Sequence, residues 1–183
     1  MKRAVFIDRD GTINEEKEYL YRTDEFAFIP GAPQAIRMLN EAGFLVIVVS
    51  NQSGVARGYY TEEDVHLLHR HIAAQLEPFG ARVDAWLFCP HHPAGRGSYA
   101  LPCHCRKPLP GMLLEAAGRF AIDLESSIMI GDKLVDVEAG AAAGCRSILV
   151  RTGYGAQEEG RAQACVDVFD DLLSAAESLT RPL

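Results

Sequence analysis

The chain predicts a doubly wound, Rossmann-like α/β fold, with a parallel sheet covered by helices on both faces. Three observations carry this expectation. Short, continuous apolar runs rich in β-branched residues recur along the chain, as strands buried on both faces require. Stretches of helical period separate them, and Gly, Pro and capping residues mark the joins. Such alternation implies right-handed crossovers, with ligand sites beyond the carboxyl ends of the strands.

The elements follow in order. Ala4–Ile7 is the first strand. Pro30-Gly31 breaks the chain before a helix over Ala32–Glu41, which ends at Gly43. Phe44–Val49 is the second strand. Thr61 as N-cap, with Asp64 three residues on, starts a helix running to about Leu76. Ala85–Phe88 is the third strand, and Pro110-Gly111 opens a helix over Met112–Phe120. Ser127–Ile130 is a fourth strand, and Leu134–Ala143 is a helix ended by Gly144. Ser147–Val150 and Val166–Phe169 complete the strands, and Asp171–Ser178 is a closing helix. Without repeats, low-complexity tracts or a linker, residues 1–183 read as a single domain with no large cap domain.

Composition excludes several classes of function. At 48% hydrophobic and 23% charged residues, the chain is an ordinary globular protein. Its longest strongly apolar run, Phe44–Val49, is far shorter than the roughly 20 residues that span a bilayer. The opening MKRAVFID reaches an aspartate too soon for a signal-peptide core, so a cytoplasmic, reducing setting is expected. There, clustered cysteines hold metal more often than they form disulfides. The net charge of −7 argues against nucleic-acid or membrane binding. A small anionic substrate remains open, because a metal ion and local cations override the global sign.

Polar groups then converge on one edge of the predicted sheet. The strands end in Asp8-Arg9-Asp10-Gly11-Thr12, Ser50-Asn51-Gln52-Ser53-Gly54, a cysteine stretch from Cys89 to Cys105, and Gly131-Asp132-Lys133-Leu134-Val135-Asp136. A single aspartate after a strand is commonly a turn former or an N-cap. Four strands delivering polar groups to one edge point instead to a site. In the cysteine stretch, Cys89-x-His91 and Cys103-x-Cys105 are two ligand pairs separated by His92–Pro102. Three thiolates and one imidazole are a tetrahedral Zn²⁺ set, and four protein ligands leave no open position, so the zinc is expected to be structural. His92 and His104 compete with His91 and rank below it on the symmetry of the spacing. A disulfide or a reactive thiol is disfavoured by compartment and by the lack of an adjacent base. Cys145 and Cys165 read as small buried hydrophobes. Arg106 and Lys107 follow Cys105 at once, so a metal that fixes Cys105 also fixes two cations.

Together, DRDGT after a buried strand, the strand-end Ser50, Lys107 in RKP and the GDKLVD motif resemble the haloacid-dehalogenase-like (HAD) phosphohydrolases. The motifs occur in order from Asp8 to Asp136, most of the chain. The chemistry explains the residue types. A carboxylate attacking phosphorus divides one difficult step into two, and Asp8 is the expected nucleophile. Asp10 is the expected acid to the leaving oxygen and then base to water. The resemblance implies these same roles. Mg²⁺ suits a few carboxylates with substrate oxygens, through Asp8 and Asp132, and the resemblance adds the Asp10 main-chain carbonyl. Lys107 is expected to neutralise the transferring phosphoryl group and Ser50 to hydrogen-bond it. Asp136, one helical turn beyond Asp132, is either a support for this set or a solvated helix residue.

CPHHP, C-x-CRKP-x-PGM, DRDGTIN and SNQSGVARG together look closely like the D-glycero-D-manno-heptose-1,7-bisphosphate 7-phosphatases, over nearly the whole chain. That resemblance implies removal of one phosphate from a sugar bisphosphate, supplying lipopolysaccharide or surface-glycan precursors. It also implies substrate contacts from Glu16, Lys17, Glu18 and Tyr19, from Ser50, Asn51, Gln52 and Ser53, and from Arg106 and Lys107. Glu16–Tyr19 is the least family-like of these segments. Arg106, with its planar donor fork, suits the second phosphate. Histidinol-phosphate phosphatase, which shares the catalytic set and a zinc loop, is the alternative substrate reading. A zinc-organised binding module with a decayed site is the alternative of another class. With specificity carried by loops, the protein is expected to work as a monomer.

Overall fold

The computed structural model describes residues 1–162, 164 and 166–181. Among them, six strands form one sheet: β1 (Ala4–Ile7), β2 (Leu45–Asn51), β3 (Ala85–Cys89), β4 (Ile128–Gly131), β5 (Arg146–Val150) and β6 (Asp167–Phe169). The order is β3-β2-β1-β4-β5-β6, and every neighbouring pair is parallel. The helices are α1 (Ala32–Glu41), α2 (Ser53–Arg57), α3 (Glu62–Leu76), α4 (Gly111–Phe120), α5 (Leu134–Ala143), α6 (Gly155–Glu158) and α7 (Leu172–Thr180).

The continuous apolar strands are explained by burial on both faces. Successive side chains of a strand point to opposite faces. Val5, Ile7, Val46, Val48, Ile128 and Ile130 therefore join one core with Ile36 and Leu39 of α1, Leu68 and Ile72 of α3, and Leu172 of α7. Ala4, Phe6, Ile47, Val49 and Met129 join the other, with Met112, Leu113 and Ala116 of α4 and Ala139 of α5. Cys145 is buried in this second core, as expected of a small hydrophobe. Cys165 lies outside the described residues.

Two differences from the expected elements bear on the site. β2 continues beyond Val49, because Ser50 and Asn51 stay in the ladder opposite Phe88 and Cys89. Both polar residues are thus held by strand geometry rather than by a loop. α2 and α6 were not expected, being too short to show a period. Elsewhere boundaries move by one or two residues. Thr61 does cap α3: its Oγ accepts the Asp64 N–H at 3.2 Å, and Asp64 accepts the Thr61 N–H at 2.8 Å.

The chain builds outward from β1 in one direction through β2 and β3, and from β4 in the other through β5 and β6. The reversal lies between β1 and β4, where an open α/β sheet forms its crevice. Asp8 follows β1 and Asp132 follows β4.

Candidate active site

A cavity of about 390 Å³ opens over that reversal point. Asp8, Asp10, Ser50, Asn51, Gln52, Ser53, Arg106 and Lys107 line it, together with Glu16, Glu18 and Tyr19. Lys17 is the exception among the expected contact residues. Its ammonium donates to the Glu25 carbonyl at 2.6 Å, and it is not among the residues that line the cavity. Glu18 takes φ +55, the left-handed region seldom used by side-chain-bearing residues, and the chain turns there.

Lys107 is the charge centre of the site. It is 3% exposed, and its ammonium donates to Asp8 Oδ1 and to the Val49 carbonyl, each at 2.8 Å. It also pairs with Asp136 at 2.6 Å. Burial works against a charge on Lys107, but Asp136 and Asp8 together outweigh it and raise its pKa. Asp136 is therefore no solvated helix residue: it is 1% exposed, accepts the Lys133 N–H at 3.0 Å and braces Lys107 from behind. Burial pushes Asp136 up to about 6, against the opposing pull of Lys107.

Asp132 is fully buried. One of its oxygens, Oδ2, accepts the Tyr154 N–H at 2.8 Å, while Oδ1 has no hydrogen-bond partner among the described residues. Oxygens of Asp8, Asp132 and Asp136 lie within 4.8 Å of one another. Burial, and then the neighbouring Asp8, push Asp132 up to about 8. Lys107 neutralises the Asp8–Asp136 side of this group, whereas Asp132 Oδ1 offers an unshared lone pair. A hard divalent cation fits that donor set. Two glycines make room for Asp132, since a Cβ on Gly11 (φ +84) or on Gly153 (φ +57) would collide with its carboxylate. The turn after β5 thus helps to hold Asp132, with the Thr152 hydroxyl donating to the Gly11 carbonyl at 2.7 Å. This turn was not expected from the sequence. Its only signal is the RTGYG run after a strand.

Asp10 faces a second network, equally unforeseen. Arg9 is fully buried and reaches Asp10 with Nε at 3.2 Å and Nη2 at 2.9 Å. Asn14 Nδ2 donates to Asp10 Oδ1 at 3.0 Å and Gln52 Nε2 to Asp10 Oδ2 at 3.0 Å. Gln52 Nε2 also donates to Ser50 Oγ at 2.6 Å, leaving the serine's own proton free to point into the cavity. Lys133, absent from the expected set, lines the cavity too. It pairs with Glu16 at 3.0 Å and stands 4.6 Å from the centre of the Tyr154 ring.

The expected ligands Cys89, His91, Cys103 and Cys105 come together, with one ligand atom of each within 4.8 Å of the others. Cys105 Sγ lies 3.1 Å from Cys89 Sγ and 3.4 Å from His91 Nδ1. Cys89 closes β3, so the strand fixes one corner of the cluster. His92 turns elsewhere, its Nδ1 accepting the Ala94 N–H at 3.1 Å, and His104 is exposed. These four residues could hold a metal ion of tetrahedral preference.

Comparison with known proteins agrees with this geometry. The model of the HAD-hydrolase-like family matches residues 104–175. The D-glycero-beta-D-manno-heptose-1,7-bisphosphate 7-phosphatase of Pasteurella multocida is 43% identical over 165 residues, covering 90% of each chain. The protein of that name from Yersinia pestis is 45% identical, covering 88% of this chain and 87% of its own. Among solved structures, D,D-heptose 1,7-bisphosphate phosphatase from B. bronchiseptica, complexed with magnesium and phosphate, superimposes with a TM-score of 0.88. It shares 36% identity and covers 97% of both chains. At such identity across nearly its whole length, the chain belongs to the heptose-1,7-bisphosphate 7-phosphatase family of HAD-like hydrolases.

Proposed function

We propose that this enzyme removes the 7-phosphate of D-glycero-D-manno-heptose 1,7-bisphosphate by way of a phosphoryl group carried on Asp8. The observation that carries this reading is the juxtaposition at the β1–β4 crevice. The Asp8 carboxylate is held by Lys107 at 2.8 Å, beside the unpartnered oxygen of Asp132. Mg²⁺, held by Asp8, Asp132 and the Asp10 carbonyl, would draw charge from the phosphoryl oxygens.

The chain's own groups do the rest. Asp8 attacks phosphorus while Asp10 protonates the leaving sugar oxygen. Asp10 then takes a proton from the water that releases phosphate from Asp8. Lys107 neutralises the equatorial oxygens and Ser50 donates to one of them. Arg106 holds the far phosphate, which gives the preference for a bisphosphate. The relatives' shared name, which specifies the β anomer, supports the same anomer here. Zinc on Cys89, His91, Cys103 and Cys105 supplies structure rather than chemistry and sets Arg106 and Lys107 in place. We further infer a monomer acting in the cytoplasm, with residues 1–183 as a single domain.

The test is Asp8→Asn, with release of phosphate from the heptose bisphosphate measured in Mg²⁺. The amide nearly preserves shape but is a poor nucleophile and carries no charge, so turnover should fall by at least about 10³-fold in a folded protein. Phosphate release near the wild-type rate would rule out the covalent route.

A further inference from the structure

We propose that Arg9, the residue between the two aspartates, is the positioning residue that aims the Asp10 carboxyl at the reacting bond. This rests on the phosphatase reading, in which Asp10 first gives and then takes a proton. An arginine with no exposure is costly unless it is paired, and Arg9 is held through Nε and Nη2 alone, Nη1 having no partner among the described residues. Its cavity-side neighbours line the site, but Arg9 itself does not. Arg9 instead reaches Asp10 from behind, Nη2 contacting both carboxylate oxygens at 2.9 Å and Nε contacting Oδ1 at 3.2 Å. Nη2 also donates to the Leu20 carbonyl at 2.9 Å, which ties the guanidinium to the segment that carries Glu16, Glu18 and Tyr19.

The grip is closed from the other side. Tyr60 donates its hydroxyl to Gln52 Oε1 at 2.7 Å, fixing which end of the amide is the acceptor. Gln52 must then present its NH₂ to Asp10 and Ser50. With Arg9 on one flank and Gln52 on the other, the Asp10 carboxyl cannot rotate without breaking several buried hydrogen bonds. A planar fork is needed for this, since a lysine in the same place offers a point charge without orientation.

The two half-reactions provide the discriminating test. In the first, an Asp8 oxygen bonds to phosphorus, the bond from phosphorus to the leaving oxygen breaks, and Asp10 gives that oxygen a proton. In the second, Asp10 takes a proton from water, the water oxygen bonds to phosphorus, and the bond to Asp8 breaks. A sugar alkoxide needs the first proton. The p-nitrophenolate ion is stable enough to leave without it, yet its phosphoenzyme still needs the second transfer.

Arg9→Lys should therefore lower kcat for the sugar bisphosphate by about a hundredfold, with KM within about threefold. With p-nitrophenyl phosphate the variant should release a burst of about one nitrophenolate per enzyme before a slow steady rate, larger than any wild-type burst. Wild-type kinetics, or equal losses on both substrates without a burst, would overturn the proposal. Should Arg9→Lys not fold, as judged by circular dichroism, Tyr60→Phe decides in its place. Freeing the Gln52 amide should give a smaller burst of the same kind, and no burst counts against the proposal. A wild-type enzyme inactive on both substrates would instead remove the phosphatase reading itself.

Discussion

Asn51 and Lys107 are joined twice: the Asn51 amide donates to the Lys107 carbonyl at 3.0 Å and accepts the Lys107 N–H at 3.0 Å. The last residue of β2 thereby fixes the backbone whose side chain reaches Asp8. The pairing spans 56 positions of sequence and ties the exit of the cysteine loop to the sheet. Asn51→Ala should leave both backbone groups unpaired in a half-buried place, costing about 1–3 kcal/mol. Thermal unfolding should report that loss. Steady-state kinetics should show kcat down by roughly tenfold to a hundredfold, as expected when a catalytic charge is displaced by a fraction of an ångström. A variant with kcat within twofold of wild type would show that Asp8, Asp136 and Val49 hold Lys107 unaided.

One tightly held zinc per chain is expected, distinct from an exchangeable Mg²⁺. Brief EDTA treatment followed by Mg²⁺ should restore activity while zinc stays bound. Cys103→Ser should lose zinc, unfold at lower temperature and remain impaired whatever Mg²⁺ is added, because the loop no longer delivers Lys107. Elemental analysis that finds no zinc in purified protein would sink this expectation.

Arg106 lines the cavity, and its Nη1 donates to the His91 carbonyl at 3.5 Å, a long contact it can exchange for a better acceptor. Arg106→Ala should reduce kcat/KM for a bisphosphate by roughly tenfold to a hundredfold, the worth of a charge-assisted hydrogen bond. It should barely change hydrolysis of a monophosphate. Lys107→Ala should damage both. Equal losses for Arg106→Ala on the two substrates would place Arg106 at the reacting phosphate.

His69 is 3% exposed on α3, stacks on Trp86 at 4.6 Å, and neither ring nitrogen has a partner among the described residues. Burial, with Arg9 and His66 adding to it, lowers its pKa from 6.5 to about 2. The sign follows from linkage: below pH 6.5 the unfolded chain takes up a proton that the folded chain refuses. This histidine therefore contributes no pH dependence above 6.5. It lowers stability by about 1.4 kcal/mol per pH unit as acid is added below that. Urea melts from pH 7 to pH 5 should show the slope, and His69→Leu should flatten it. An unchanged slope in the variant would assign the acid sensitivity to other groups.

Much of this protein was legible in the sequence because its strands are short apolar runs buried on both sides. Val46–Val49, for example, admits few other readings. The strand-end motifs were legible for a related reason. Attack on phosphorus and cation binding restrict residue type strongly, so Asp8, Asp10, Asp132 and Lys107, each unremarkable alone, stand out as a set. The rest depends on contacts between residues far apart in sequence. Burial of Asp136 is decided by Lys107, and the seat of Asp132 by Gly153 and Tyr154. Burial of Arg9 is decided by Leu20 and Gln52, residues with no pattern of their own. The orientation of Lys17 was not legible because the chain turns at Glu18, and nothing in Glu16–Tyr19 says which side chains a turn sends inward.

Because Asp8 and Asp132 emerge from strands that are hydrogen-bonded neighbours, the backbone ladder itself spaces them. Ile7 pairs with Ile130, and the Asp8 N–H donates to the Ile130 carbonyl at 2.9 Å. The gap across which a cation must sit is thus set by the repeat between adjacent strands, about 4.8 Å. Side-chain substitutions in the flanking helices can loosen the cores without stretching that ruler. The cysteine loop leaves from β3, at the edge of the sheet, so the residues between its two ligand pairs can change while the ruler stays unchanged. Changes in substrate preference are therefore cheapest to make in that loop, and changes in chemistry hardest to make at all.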